Sequence, residues 1–300
     1  MSELVKVIYG DTDSIYLSYD GLLETIEGVE DMSVADKRDL IANIASEFLD
    51  EYNEKLMEEY YKERHVKSIH KFELETIALS GVWLDVKKRY AQILLWKDGH
   101  KFDLDSLPLK AKGMEIVKAS YPKVAREMLK KLVYHLISTE GNIISEMYGM
   151  IGDLYNEWMT LDIESICPTI SVNGYKKYVI SDDHPGGVRC ENGTPFQVRG
   201  LAWYNWLRQV NGLPGDPVYG GKMKYYTCRF DRRKSSDKAP AFVFQAGRLP
   251  EWSQQYAPID REAMFKKCVL DPLNRITTAI GEREIKVNGG VQVDLFGEFL

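Results

Sequence analysis

Asp11 and Asp13 are the residues of this chain best suited to chemistry. They stand two apart in residues 8–17, Ile-Tyr-Gly-Asp-Thr-Asp-Ser-Ile-Tyr-Leu. Two carboxylates held this close repel each other unless a hard cation lies between them. Mg²⁺ suits such a place, because it keeps several waters and bridges to substrate phosphates. The plain alternative is an Asx-rich turn with solvated acids, which needs no metal. A second group follows at Lys87, Lys88, Arg89 and Tyr90, inside an apolar stretch over 82–96. Three adjacent cations in a buried strand destabilise it unless something anionic faces them. Nucleic-acid phosphates and groove acceptors would do so, while a charged strand edge would only discourage aggregation. Glu73 and Glu75 share one face of a strand expected over 71–78. They add negative charge near the Asp pair if that face meets the turn.

The elements that would position these groups follow from pattern. Val5, Val7 and Ile8 lead into the Gly10-Asp11-Thr12-Asp13 tip, and Ile15, Tyr16 and Leu17 lead out. Apolar residues on both sides of a Gly/Asp turn predict a β-hairpin. Leu40, Ile41, Ile44, Ala45, Phe48, Tyr52 and Leu56 recur at three- and four-residue steps and predict one long helix over 33–62. Ser33, with Asp36 three residues on, caps it. Its acidic side reads as a solvated face. Helices are expected over 122–138, 145–161 and 261–273, and strands over 222–229 and 241–245. Residues 172–247 otherwise read as aromatic, glycine-rich and irregular.

Three hundred residues suffice for two domains with real cores. No apolar run approaches the ~20 residues of a membrane span, and the N-terminus lacks a signal-peptide pattern. Cys167, Cys190, Cys228 and Cys268 form no Cys-x-x-Cys pair, which predicts reduced thiols in a cytoplasm. The net charge of −6 argues weakly against nucleic acid, but its distribution argues for it. Residues 20–63 carry fourteen acids and four bases, whereas residues 81–135 carry twelve bases and six acids. A basic stretch on an acidic protein is an electrostatic footprint for nucleic acid.

The string Tyr9-Gly10-Asp11-Thr12-Asp13-Ser14 resembles the metal-binding palm motif of family B DNA polymerases. Lys87-Lys88-Arg89-Tyr90 is similar to the motif by which that family grips the primer end. Residues 109–122 resemble the palm-to-thumb junction of T-even-type phage polymerases, and 193–205, around Arg199-Gly200, resembles their thumb. The resemblance covers nearly all of the chain. It implies an α+β fold, with the C-terminal part of a palm over 1–113, a mainly helical thumb with a small β insertion over 114–287 and a tail over 288–300.

By that resemblance Asp13 is the main metal ligand and Asp11 an auxiliary carboxylate. Two Mg²⁺ ions, primer–template DNA and dNTP are the implied cofactors and partners. Lys87, Lys88, Arg89, Tyr90, Lys110, Lys118 and Arg199 become DNA contacts. Leu295, Phe296 and Phe299 become the clamp-binding residues, freed by Gly289-Gly290, although the same tail could fold back on its own domain. The family's exonuclease, its nucleotide-floor motif with another metal-binding Asp and its fingers helix have no counterpart here. Met1 stands just before the palm motif, which reads as one half of a split phage polymerase in a host cytoplasm, needing an N-terminal half, or equally as a truncation. The rival is a non-catalytic DNA- and clamp-binding protein. An unrelated Asp-x-Asp phosphatase fails to explain the Lys-Lys-Arg-Tyr group and the tail.

Overall fold

β1 (Lys6–Asp11) and β2 (Ser14–Ser18) pair antiparallel, with Gly10 opposite Ile15 and Asp11 opposite Ser14. The ladder slips between Val7 and Tyr9, so Ile8 is an extra, bulged residue. The computed structural model describes residues 4–11, 14–67, 73–138, 143–183, 187–229 and 241–286. Asp13 and the whole of the expected tail lie outside the described residues. The chain divides into two compact units, Met1–Gly113 with Ile137–Glu140 and Met114–Leu136 with Gly141–Leu300.

In the first unit a short α1 (Asp20–Leu23) leads to the predicted long helix, built as α2 (Val34–Ile44), a π-helical turn at Ala45–Leu49 and α3 (Asp50–Glu63). Ser33 caps it: its Oγ accepts the Asp36 N–H at 3.1 Å and donates to Asp36 Oδ2 at 2.6 Å. Asp39, bonded first by Arg38 and then by Lys101, has its pKa lowered to about 2. β3 (Thr76–Trp83), β4 (Tyr90–Lys97), β5 (His100–Lys101) and β6 (Leu109–Lys112) form an antiparallel sheet with β4 at its centre. Tyr90 to Leu95 are buried in succession, as a central strand covered on both faces requires.

Two expectations are corrected here. The strand placed over 71–78 runs over Thr76–Trp83 instead, through Gly81, which pairs with Gln92. Glu73 and Glu75 therefore precede the strand and have no shared strand face. Lys87, Lys88 and Arg89 lie in the connection between β3 and β4, not within a buried strand. Lys87 and Lys88 are exposed there, which removes the cost of burying them.

The second unit holds α4 (Lys123–Ser138) and α5 (Ile143–Thr160), then β7 (Thr169–Val172), α6 (Tyr175–Tyr178) and a ribbon of β8 (Val179–Ser181) with β9 (Arg189–Cys190). α7 (Phe196–Val210), β10 (Gly221–Thr227), β11 (Ala241–Gln245), α8 (Ser253–Tyr256), α9 (Arg261–Phe265) and α10 (Asp271–Ala279) complete it. β10 is the middle of an antiparallel sheet, with β7 and β11 on its flanks. Its core gathers Trp158, Trp203, Tyr226, Phe242, Phe244 and Phe265. Trp158 Nε1 donates to the Arg261 carbonyl at 3.1 Å, tying α5 to α9.

The region read as irregular contains α7, fifteen residues long. Gly200 is no turn residue: a Cβ there would lie 2.6 Å from the Ala241 carbonyl oxygen and from Val243 Cγ2. The glycine lets the helix lie directly on β11. The protein is thus mixed α/β with antiparallel sheets, compatible with an α+β fold. Among the described residues no helix is long and apolar enough to cross a membrane, and the four cysteines are free.

Candidate active site

The hairpin tip stands on a bed of aromatic rings. Alternation along β1 and β2 turns Tyr9 and Tyr16 to the same side, where their rings lie 5.8 Å apart. Tyr16 meets Tyr90 at 5.3 Å and Trp83 at 5.7 Å, both at the facing ends of β3 and β4. Its hydroxyl donates to the Tyr90 hydroxyl at 2.8 Å. Burial, and then that bond to Tyr90, pushes the Tyr16 phenol far above the ordinary tyrosine range. The pair stays protonated and neutral beneath the carboxylate turn.

This platform brings the two sequence motifs together. The Lys88 N–H donates to the Tyr9 hydroxyl at 2.7 Å, across a separation of 79 residues. Lys88 Nζ lies 3.8 Å from Asp11 Oδ2, and the Asp11 side chain is only 12% exposed. A carboxylate so enclosed needs a positive neighbour, and the ammonium supplies one. Lys88 has φ of +63°, the left-handed region that costs a residue with a Cβ about 1–2 kcal/mol. Gly113, itself at φ +66°, makes room for it: a Cβ on Gly113 would sit 2.1 Å from the Lys88 carbonyl oxygen. The strained loop is therefore wedged between Tyr9 and Gly113.

The other expected residues divide. Lys87 is exposed and Arg89 half-buried beside Lys88. Tyr90 is 3% exposed, so its ring supports the hairpin and offers no surface to DNA, contrary to the role the resemblance implies. Glu75 takes Lys110 Nζ at 3.0 Å, and its charge is one of the lesser influences raising the Tyr16 pKa. Glu73 is exposed ahead of β3. In the second unit Lys118 Nζ bonds Glu115 at 2.9 Å, and Arg275 lies 3.2 Å from the same carboxylate. Arg199 is exposed on α7. Lys110 and Lys118 would have to leave these acids to take a phosphate.

Sequence reasoning missed Tyr9, Tyr16, Trp83 and Gly113 as site-forming residues. The signal for the tyrosines was present, since Tyr9 and Tyr16 flank the tip symmetrically. That for Gly113 was not, because its partner lies 25 residues upstream.

Asp11 fits a Mg²⁺ ion as a hard, enclosed oxygen donor balanced by a cation. Among the described residues no three His, Cys, Asp or Glu gather as a metal-binding cluster.

No family model matches the chain. A DNA-directed DNA polymerase of Escherichia phage RB69 is 27% identical to it over 239 residues. This chain is a distant relative of a phage DNA polymerase. The match takes in 71% of the chain but only 24% of that polymerase, so the chain spans about a quarter of its relative's length.

Proposed function

We propose that this chain supplies the C-terminal palm and the thumb of a family B DNA polymerase and acts in template-directed nucleotidyl transfer during phage DNA replication. The observation that carries the reading is the meeting of the two motifs, Lys88 on Tyr9 and Asp11. A loop of three basic residues beside a carboxylate turn can hold primer backbone where the carboxylates face the reacting phosphate. Residues 1–113 are the palm part, 114–287 the thumb and 288–300 the clamp-binding tail. Asp13, with Asp11 as auxiliary, holds Mg²⁺, which when bound supplies a clamp on the attacking and leaving oxygens of the displacement. The hairpin presents the carboxylates, Tyr9 and Gly113 fix the loop, and Lys88 balances Asp11 until a metal arrives.

Two carboxylates cannot complete a two-metal clamp. The remaining ligand, the fingers and the exonuclease belong to an N-terminal half. Val7, Ile8 and Ile15 are 69%, 44% and 59% exposed on the hairpin. A two-stranded hairpin is marginal alone, so an apolar covering layer from that half suits this face. The test is primer extension with Mg²⁺ and dNTPs. The chain alone should extend nothing, and the chain mixed with an N-terminal polymerase half should extend processively. Robust extension by the chain alone would remove the need for a partner; none in the mixture would leave only DNA and clamp binding.

Lys88→Ala should weaken primer–template binding and flatten its salt dependence, by about 0.9 in the log–log slope for each phosphate it ceases to neutralise. An unchanged slope and affinity would leave Lys88 as no more than Asp11's counter-ion. The tail of Leu295, Phe296 and Phe299 lies outside the described residues. Deleting 291–300 should abolish stimulation by a sliding clamp and leave unassisted synthesis on short templates unchanged. Loss of basal activity instead would make the tail part of the thumb's core.

A further inference from the structure

We infer that the second unit carries a nucleotide-binding pocket at the start of α4, one that takes a phosphate on its cations and a base against its apolar wall. The pocket encloses about 560 Å³ where the first turns of α4 meet the segment entering β7 and strand β10, a size ordinary for small-molecule sites. Lys123 and Arg126 from α4 and Lys224 from β10 line it, against one acid, Glu127. Lys224 is committed elsewhere: its Nζ donates to the Glu164 carbonyl at 2.8 Å and lies 3.5 Å from the same residue's carboxylate. Lys123 and Arg126 have no such acid among the described residues. Arg126 Nε is buried without a hydrogen-bond partner. A buried donor left unpaired is costly, and an anion in the pocket would satisfy it. The sixteen-residue α4 points its positive N-terminal end into the same space.

The other side of the pocket is apolar. Pro122, Val124 and Cys167 form it, with the Tyr121 ring beside them. The Cys167 thiol is bonded to the Ile163 carbonyl at 3.0 Å, and burial pushes its pKa well up, so the pocket binds rather than reacts. A guanidinium, an ammonium and a helix terminus on one side, with an apolar and aromatic surface on the other, match a phosphate joined to a flat ring. A nucleic-acid strand and a free nucleotide both present that unit.

The experiment compares the full chain with its Lys123→Gln/Arg126→Gln variant, using labelled oligo-dT across a salt series, and dTMP and inorganic phosphate in thermal shift. If a strand occupies the pocket, the log–log salt slope falls by about 0.7 for each single-strand phosphate that is no longer neutralised, about 1.4 for two. If a free nucleotide occupies it, dTMP protects the wild type more than inorganic phosphate does, and the variant loses that protection. No change in either overturns the inference and leaves these residues a solvated helix face. A check free of mutation uses oligo-dT carrying 5-iodouracil on the unaltered chain. Photo-crosslinking should label the peptide containing Tyr121, and labelling confined to other peptides refutes the site. None of these measurements needs primer extension, so they stand or fail apart from the polymerase reading.

Discussion

Asp13→Asn should slow single-turnover nucleotide incorporation by the assembled enzyme at least about 1,000-fold, roughly 4 kcal/mol of barrier, while primer–template affinity hardly changes. The substitution keeps the shape of the side chain and removes its charge. A hairpin tip needs only the shape, because its ladder is set by backbone pairs such as Gly10 with Ile15. A divalent cation needs the charge, since carboxylate is the hard ligand that displaces its water. Asp11→Asn should be milder, for two reasons. Asp11 is the auxiliary carboxylate in this reading, and its side chain is already balanced by Lys88 at 3.8 Å. Rapid-quench measurement with both variants, each paired with the N-terminal half, separates the roles. A drop below about tenfold for Asp13→Asn, some 1.4 kcal/mol, would remove it as the main ligand. A larger effect for Asp11→Asn would exchange the two.

What could be read from the sequence was what is local. The Gly/Asp tip between β-branched residues gave the hairpin, and the three- and four-residue apolar steps behind Ser33 gave the long helix. The β3–β4 connection was misread for a physical reason. Tight turns usually announce themselves with Gly, Asn or Pro, but here a lysine takes the left-handed position, and the apolar run on either side reads straight through it. That conformation is permitted by Gly113, on a different segment, so no window around residue 88 could reveal it. α7 failed in the opposite sense. Gly193, Pro195 and Gly200 look like loop punctuation, yet Gly200 serves close helix–sheet contact with β11. The π-helical turn at Ala45–Leu49 has no sequence signal that we can identify.

The arrangement around Lys88 makes Gly113 the position where one methyl group should do most harm to the first unit. Gly113→Ala combines two penalties. The backbone at φ +66° disfavours any Cβ, at about 1–2 kcal/mol. The new methyl would also stand 2.1 Å from the Lys88 carbonyl oxygen. That atom is backbone, so no rotamer change relieves the clash, and overpacking of this kind adds about 1–3 kcal/mol. Gly99→Ala is the control, because Gly99 has φ of +85° and open space around its Cβ. Hydrogen exchange on peptides of β4 should show Gly99→Ala losing only the conformational part, about 1–2 kcal/mol. Gly113→Ala should lose about 3 kcal/mol or more. Its Lys88 must move off the Tyr9 hydroxyl, so the salt dependence of primer–template binding should flatten as it does in Lys88→Ala. Equal protection in the two glycine variants would mean that the loop yields without cost, and that Gly113 does not hold Lys88 at the carboxylate turn.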